Sequence, residues 1–178
     1  MIREKTRTLV LSAFFLALGM VLPLLTGQIK EIGDSLLPMH LAVMLCGLIC
    51  GPSYGAAVGF CMPFLRSLCF GMPPLYPNAV YMSIELATYA LVIGLLYLKF
   101  KRSIPYLYLS LIISMVVGRV AWGVSKAILL GIGGESITIK ALIMGGVVDA
   151  IPGIILQLVL IPLIMHLITK IRATGGSK

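Results

Sequence analysis

Apolar runs long enough to cross a lipid bilayer dominate this chain, and they leave little freedom in how it folds. A spanning helix takes roughly 20 predominantly apolar residues, because every backbone N–H and C=O must be satisfied inside the segment itself. The hydropathy pattern predicts six such helices, over about 8–25, 36–50, 54–70, 78–98, 104–130 and 137–171. Composition agrees: 60% of the 178 residues are hydrophobic and 11% are charged, against roughly 45–50% and 25% in soluble domains. Six helices and their connections use nearly all of 1–178, so the expectation is one all-α domain, an integral membrane bundle.

Glycine and proline punctuate the runs. Gly51-Pro52-Ser53-Tyr54-Gly55 reads as a tight turn, and Gly71-Met72-Pro73-Pro74-Leu75-Tyr76-Pro77 as a stiff loop that serves as a rim, a lid or a plain connector. Pro23 falls in the last turn of helix 1, and Pro63 is expected to kink helix 3. The sixth run exceeds one bilayer thickness, so it must tilt, protrude, or bend near Pro152 or Pro162.

The net charge of +8 is better explained by topology than by nucleic-acid binding. Basic residues gather at the N-terminus (Arg3, Lys5, Arg7), in the loop after helix 4 (Lys99, Lys101, Arg102) and at the C-terminus (Lys170, Arg172, Lys178). Six spans put these three regions on one side, and the positive-inside rule makes that side cytoplasmic. The opposite loops hold Lys30, Glu31, Asp34 and Glu135, with no basic surplus. Arg3, Lys5 and Arg7 before an apolar run also resemble a signal peptide, but no small-residue cleavage site closes the run, so a retained first helix is expected. Cys46, Cys50, Cys61 and Cys69 lack metal-binding spacing and read as structural thiols.

Ionisable residues inside spans are costly and mark function by default. Arg66, Glu85, Arg119, Lys126 and Asp149 are in this position, and His40 lies near the start of helix 2. From the helix rise, Glu85 sits about 10 Å below the outer surface, Lys126 about 6 Å, Arg119 about 17 Å and Asp149 about 18 Å. Arg119, Trp122 and Lys126 share one side of helix 5, and Tyr81, Glu85 and Tyr89 one side of helix 4. Asp149 lies between Gly145-Gly146 and Gly153, where small residues permit close approach. The simplest arrangement is a polar, aromatic-lined pocket open to the outside, its basic surplus suiting a carboxylate or phosphate. The competing account is structural pairing, Arg119 with Asp149 and Arg66 or Lys126 with Glu85. On helix 1, Ala13 and Ala17 followed by Gly19 form a small-residue strip suited to close packing, inside the bundle or against a partner.

No P-loop is present: Gly131-Ile132-Gly133-Gly134 lacks the lysine and the strand context. Neither HExxH nor GxSxG occurs, so nothing supports an enzyme.

Several features in order now resemble a known family. They are the basic N-terminus, Leu11-Ser-Ala-Phe-Phe-Leu-Ala-Leu-Gly19, a polar loop, Leu37-Pro-Met-His40, and Cys46-Gly-Leu-Ile-Cys-Gly-Pro-Ser-Tyr-Gly55. Pro63-Phe-Leu-Arg-Ser67 and Phe70-Gly-Met-Pro-Pro74 follow. Over about residues 5–172 the chain resembles the substrate-binding (S) components of energy-coupling factor (ECF) vitamin transporters.

The resemblance implies a substrate-capture subunit of an ABC-type importer in a prokaryotic plasma membrane. It would bind a small water-soluble vitamin or precursor outside and deliver it inward with a transmembrane scaffold subunit and two ATPase subunits. The chain itself would then be no enzyme and carry no cofactor or metal. The family's alanine motif maps onto Ala13 and Ala17 as the scaffold contact. The family's pocket region coincides with the charges above, which gives His40, Arg66, Tyr81, Glu85, Arg119, Trp122, Lys126 and Asp149 as candidate substrate-binding residues. The basic surplus favours pantothenate or niacin over a pyridoxine-type compound, and the lack of an N-terminal histidine cluster disfavours cobalt or nickel. Other readings are a self-sufficient secondary transporter or channel, and a membrane enzyme with Glu85 or Asp149 as acid or base.

Overall fold

The computed structural model describes residues 2–25, 37–100, 103–134, 138, 144–148 and 150–175. Six long helices follow one another: α1 (Ile2–Leu25), α2 (Pro38–Cys50), α3 (Pro52–Phe70), α4 (Val80–Lys99), α5 (Ile104–Ile132) and α6 (Ile151–Gly175). Short turns, Leu75–Ala79 and Met144–Val148, lead into α4 and towards α6, and there is no strand among the described residues.

Local chemistry explains where the helices begin. α1 starts at Ile2, earlier than hydropathy indicates, because Arg3, Glu4, Lys5 and Arg7 are good helix formers with exposed side chains. Pro38, Pro52 and Pro152 fall in the first turns of α2, α3 and α6, where a missing N–H removes no helical bond. Leu37 and Gly51, just before α2 and α3, take positive φ of 50° and 99°.

In the run over 137–171, the described residues form a wider helical turn at Met144–Val148 and then α6 from Ile151, with Pro152 in its first turn. Asp149 itself lies outside the described residues, as do residues 26–36, with Lys30, Glu31 and Asp34, and Lys101, Arg102, Glu135 and Lys178.

Four segments are long and apolar enough to span a bilayer: Arg3–Leu24, Leu75–Lys99, Ile104–Ile132 and Met144–Ile171. The 13 residues of α2 extend only about 20 Å, short of the roughly 30 Å hydrocarbon core. α3 has 19 residues, but glycines, serines, prolines and Arg66 dilute its hydropathy. The other helices shelter α2, which buries nine residues, among them Met39, Val43, Met44 and Leu48.

The outer surface is apolar in stripes at i, i+4 spacing. On α5 they are Val116, Val120, Val124 and Ile128; on α6, Ile151, Ile155, Val159, Leu163, Leu167 and Ile171. The opposite side of α5 turns Ser110, Ser114, Gly118, Trp122 and Ser125 inward. Large apolar side chains turned outward, with hydroxyls kept inside among an apolar core, suit a protein dissolved in lipid. Hydroxyls within the helices bond back to their own turns: Ser83 donates to the Ala79 carbonyl at 2.6 Å, Thr88 to Ile84 at 2.7 Å and Ser110 to Tyr106 at 2.8 Å. No water is then needed to satisfy them.

Glycines bring α2, α3 and α4 into backbone contact. A Cβ on Gly47 would meet the Ala90 carbonyl oxygen at 2.6 Å, one on Gly59 the Leu86 backbone at 2.7 Å, and one on Gly94 the Gly47 carbonyl oxygen at 2.8 Å. Backbone offers no flexible end to move aside, so Gly59→Ala should cost about 1–3 kcal/mol as overpacking. Its thermal unfolding midpoint in detergent should fall by several degrees. Gly123→Ala, where a Cβ meets nothing within 4 Å, should leave the midpoint unchanged or raise it slightly.

Candidate functional site

Glu85 stands one and a half turns into α4 and is 1% exposed. An isolated carboxylate there is very costly, and two neighbours offset it. Arg119 of α5 places Nη1 3.0 Å from Glu85 Oε1, and His40 of α2 places Nε2 3.2 Å from the same oxygen. Both are ion-pair distances whose alignment falls short of good hydrogen bonds. His40 donates here when Nε2 carries the proton. The His40 ring meets Tyr89 edge-on at 5.1 Å, and Gly118 makes room for Tyr89, since a Cβ there would lie 2.8 Å from the ring.

A second layer lies towards the end of α5. Lys126 Nζ stands 4.6 Å from the centre of the Trp122 ring and 5.7 Å from that of Tyr81, and these two rings meet edge-to-face at 6.0 Å. The Arg119 guanidinium lies 6.0 Å from the Trp122 ring, which thus faces two cations. Gly146 backs that ring: a Cβ would come within 2.8 Å of it. From the loop before α4, Tyr76 donates its hydroxyl proton to the Leu129 carbonyl at 3.2 Å. That bond ties the proline-rich loop to the end of α5, as a rim would.

The structure thus gathers His40, Tyr81, Glu85, Arg119, Trp122 and Lys126 from three helices. Among the described residues Arg119 pairs with Glu85; the alternative pairing with Asp149 lies outside them.

Arg66 does not join the cluster. It is 4% exposed on α3, and its Nη1 donates to the Met20 carbonyl of α1 at 2.6 Å. Its guanidinium also lies over the Phe70 ring at 5.3 Å. Pro23 lacks the N–H that would reach back along α1, so the ladder is weakened at this turn, and Arg66 braces it from outside. Ala13 and Ala17 are exposed on α1, whereas Ser12, Phe15 and Gly19 face inward. Sequence reasoning did not single out Gln157, 2% exposed on α6, whose Nε2 has no hydrogen-bond partner among the described residues. Its signal was available, as the one amide in an apolar run.

A bundle with lipid-facing apolar stripes and a buried acid–base cluster is that of a multi-pass membrane protein. The family model for the substrate-specific component of ECF transporters matches residues 7–165. The chain belongs to that family, whose members are the substrate-binding subunits of ECF transporters. No curated protein and no solved structure gives a significant match.

The pairing has an energetic consequence. Removing one partner of a buried ion pair leaves the other uncompensated, at about 3–5 kcal/mol. Glu85→Gln should therefore lower the thermal midpoint clearly. Adding Arg119→Met to it should restore part of the loss, and the double-mutant cycle reads the coupling.

Proposed function

We propose that this substrate-specific component captures a small water-soluble vitamin or vitamin precursor from outside the cell, pantothenate or niacin ranking above a pyridoxine-type compound. The carrying observation is the convergence of His40, Glu85 and Arg119 beside Lys126, Trp122 and Tyr81. Buried charge of this density is an expensive way to hold a bundle together, and aromatic rings beside cations suit a compact organic anion. Asp149, close in sequence to Gly146, completes the proposed set.

The bundle sits in the membrane with both termini in the cytoplasm, so the cluster opens outward. The setting is a prokaryotic plasma membrane. Inward delivery depends on a transmembrane scaffold subunit and two ATPase subunits, so this chain needs neither catalytic activity nor a cofactor. Ala13 and Ala17 supply the scaffold contact, supported by their exposure beside Val10, Phe14 and Val21 on the outer face of α1.

Titrating the purified chain with a panel of B vitamins and precursors tests capture, because Trp122, the single tryptophan, reports on the cluster. One compound should bind saturably and shift its emission, with calorimetry agreeing. Arg119→Ala and Asp149→Ala should each weaken that compound at least roughly tenfold, about 1.4 kcal/mol, while still inserting and folding. A folded protein that binds no compound in the panel would count against vitamin capture.

The docking face is tested separately. Ala13→Trp and Ala17→Trp should leave vitamin affinity intact and abolish co-purification with the scaffold and ATPase subunits. Normal assembly of both variants would remove α1 from the interface.

A further inference from the structure

Arginine carries five N–H donors in one plane. Two of its edges present parallel pairs, and the side edge, made of Nε and Nη2, matches the spacing of carboxylate oxygens. Arg119 spends the remaining nitrogen, Nη1, on Glu85. Its Nε and Nη2 are buried and have no hydrogen-bond partner among the described residues. Glu85 does not lie across that edge: the oxygen that meets Nη1 also faces His40. Among the described residues, therefore, nothing occupies one whole bidentate edge of a largely buried guanidinium.

We propose that the Nε/Nη2 edge of Arg119 is a carboxylate subsite, taking the acid group of an organic ligand in bidentate fashion. The proposal rests on the substrate-capture reading above and names the chemical class that the site takes. Unpaired donors in a low-dielectric interior are costly until an acceptor arrives, so the ligand-free protein is poised for one. Arg119 and Lys126 outnumber Glu85 among the described side chains of the cluster, which suits an anionic ligand, and the two-donor edge matches the two oxygens of a carboxylate.

Position adds specificity. Glu85 acts as a positioning residue, since its hold on Nη1 fixes the plane of the guanidinium. Trp122 lies beside that plane at 6.0 Å and is backed by Gly146, so the body of the ligand next to its carboxylate meets a fixed aromatic wall.

The test uses matched acids and neutral analogues on the full-length protein: nicotinate with nicotinamide, pantothenate with panthenol, and pyridoxal 5′-phosphate with pyridoxal. Binding is read by Trp122 emission and calorimetry, on the wild type and on Arg119→Lys. Lysine keeps the charge but loses the edge. In the pair that binds, the acid should be at least roughly 30-fold tighter than its neutral analogue on the wild type. Arg119→Lys should lose at least roughly tenfold on the acid and less than about threefold on the analogue.

Saturable binding with no preference for the acid, or equal losses on both members of a pair, overturns the subsite and leaves substrate capture standing. Tighter binding of the phosphate ester than of either carboxylate overturns the carboxylate assignment. Failure of every compound to bind folded protein overturns capture and subsite together. If Arg119→Lys does not fold, the comparison of acid and analogue on the wild type decides alone.

Discussion

A carboxylate sealed inside an apolar bundle is the constraint from which most of this structure follows. Glu85 is almost fully removed from solvent, and a charge in that position survives only with compensation close by. The compensating groups come from α2 and α5, not from its own helix. Three helices must therefore converge at one point to within ion-pair distance.

Convergence of this kind needs backbones that approach closely, and glycine supplies it. Gly47, Gly59 and Gly94 bring α2, α3 and α4 together with no side chain between them. Gly118 performs a related task one layer away, admitting the Tyr89 ring that meets His40 edge-on. In lipid no hydrophobic force drives helices together, so packing at small residues and polar pairing carry the association. Here both operate on the same helices: the glycines set the spacing and the Glu85 cluster fixes the register.

Much of this was legible in the sequence. Apolar runs marked all six helices, and charges inside them marked His40, Glu85, Arg119 and Lys126, because such residues are too costly to occur idly in a span. Helical periodicity placed Arg119, Trp122 and Lys126 on one side of α5, and the structure keeps them together. Partner choice was not legible. Periodicity reports which residues share a face, but not the rotation and offset between helices, so the pairing of Arg119 with Glu85 was missed and Arg66 was drawn into the cluster. Hydropathy measures whether a segment is apolar, not how widely its backbone winds, so the wider helical turn at Met144–Val148 was not legible either.

The position of Arg66 bears on how the two proposed faces of the molecule relate. α5 and α6 present large and β-branched residues to the outside, as a lipid-facing surface does. α1 instead sets Ala13 and Ala17 among Val10 and Phe14, and a strip of small residues gains nothing from lipid but permits another helix to approach. That face is on the far side of α1 from Ser12, Phe15 and Gly19, which pack inward. Arg66 joins α1 to α3 at the weakened turn near Pro23 and holds Phe70 with the same guanidinium, just before the proline-rich loop. That loop continues to Tyr76, which is bonded to α5. A buried cation outside the ligand cluster thus lies on a continuous covalent and hydrogen-bonded route between the α1 surface and the rim of the site. Its burial has a structural reason that requires no contact with substrate.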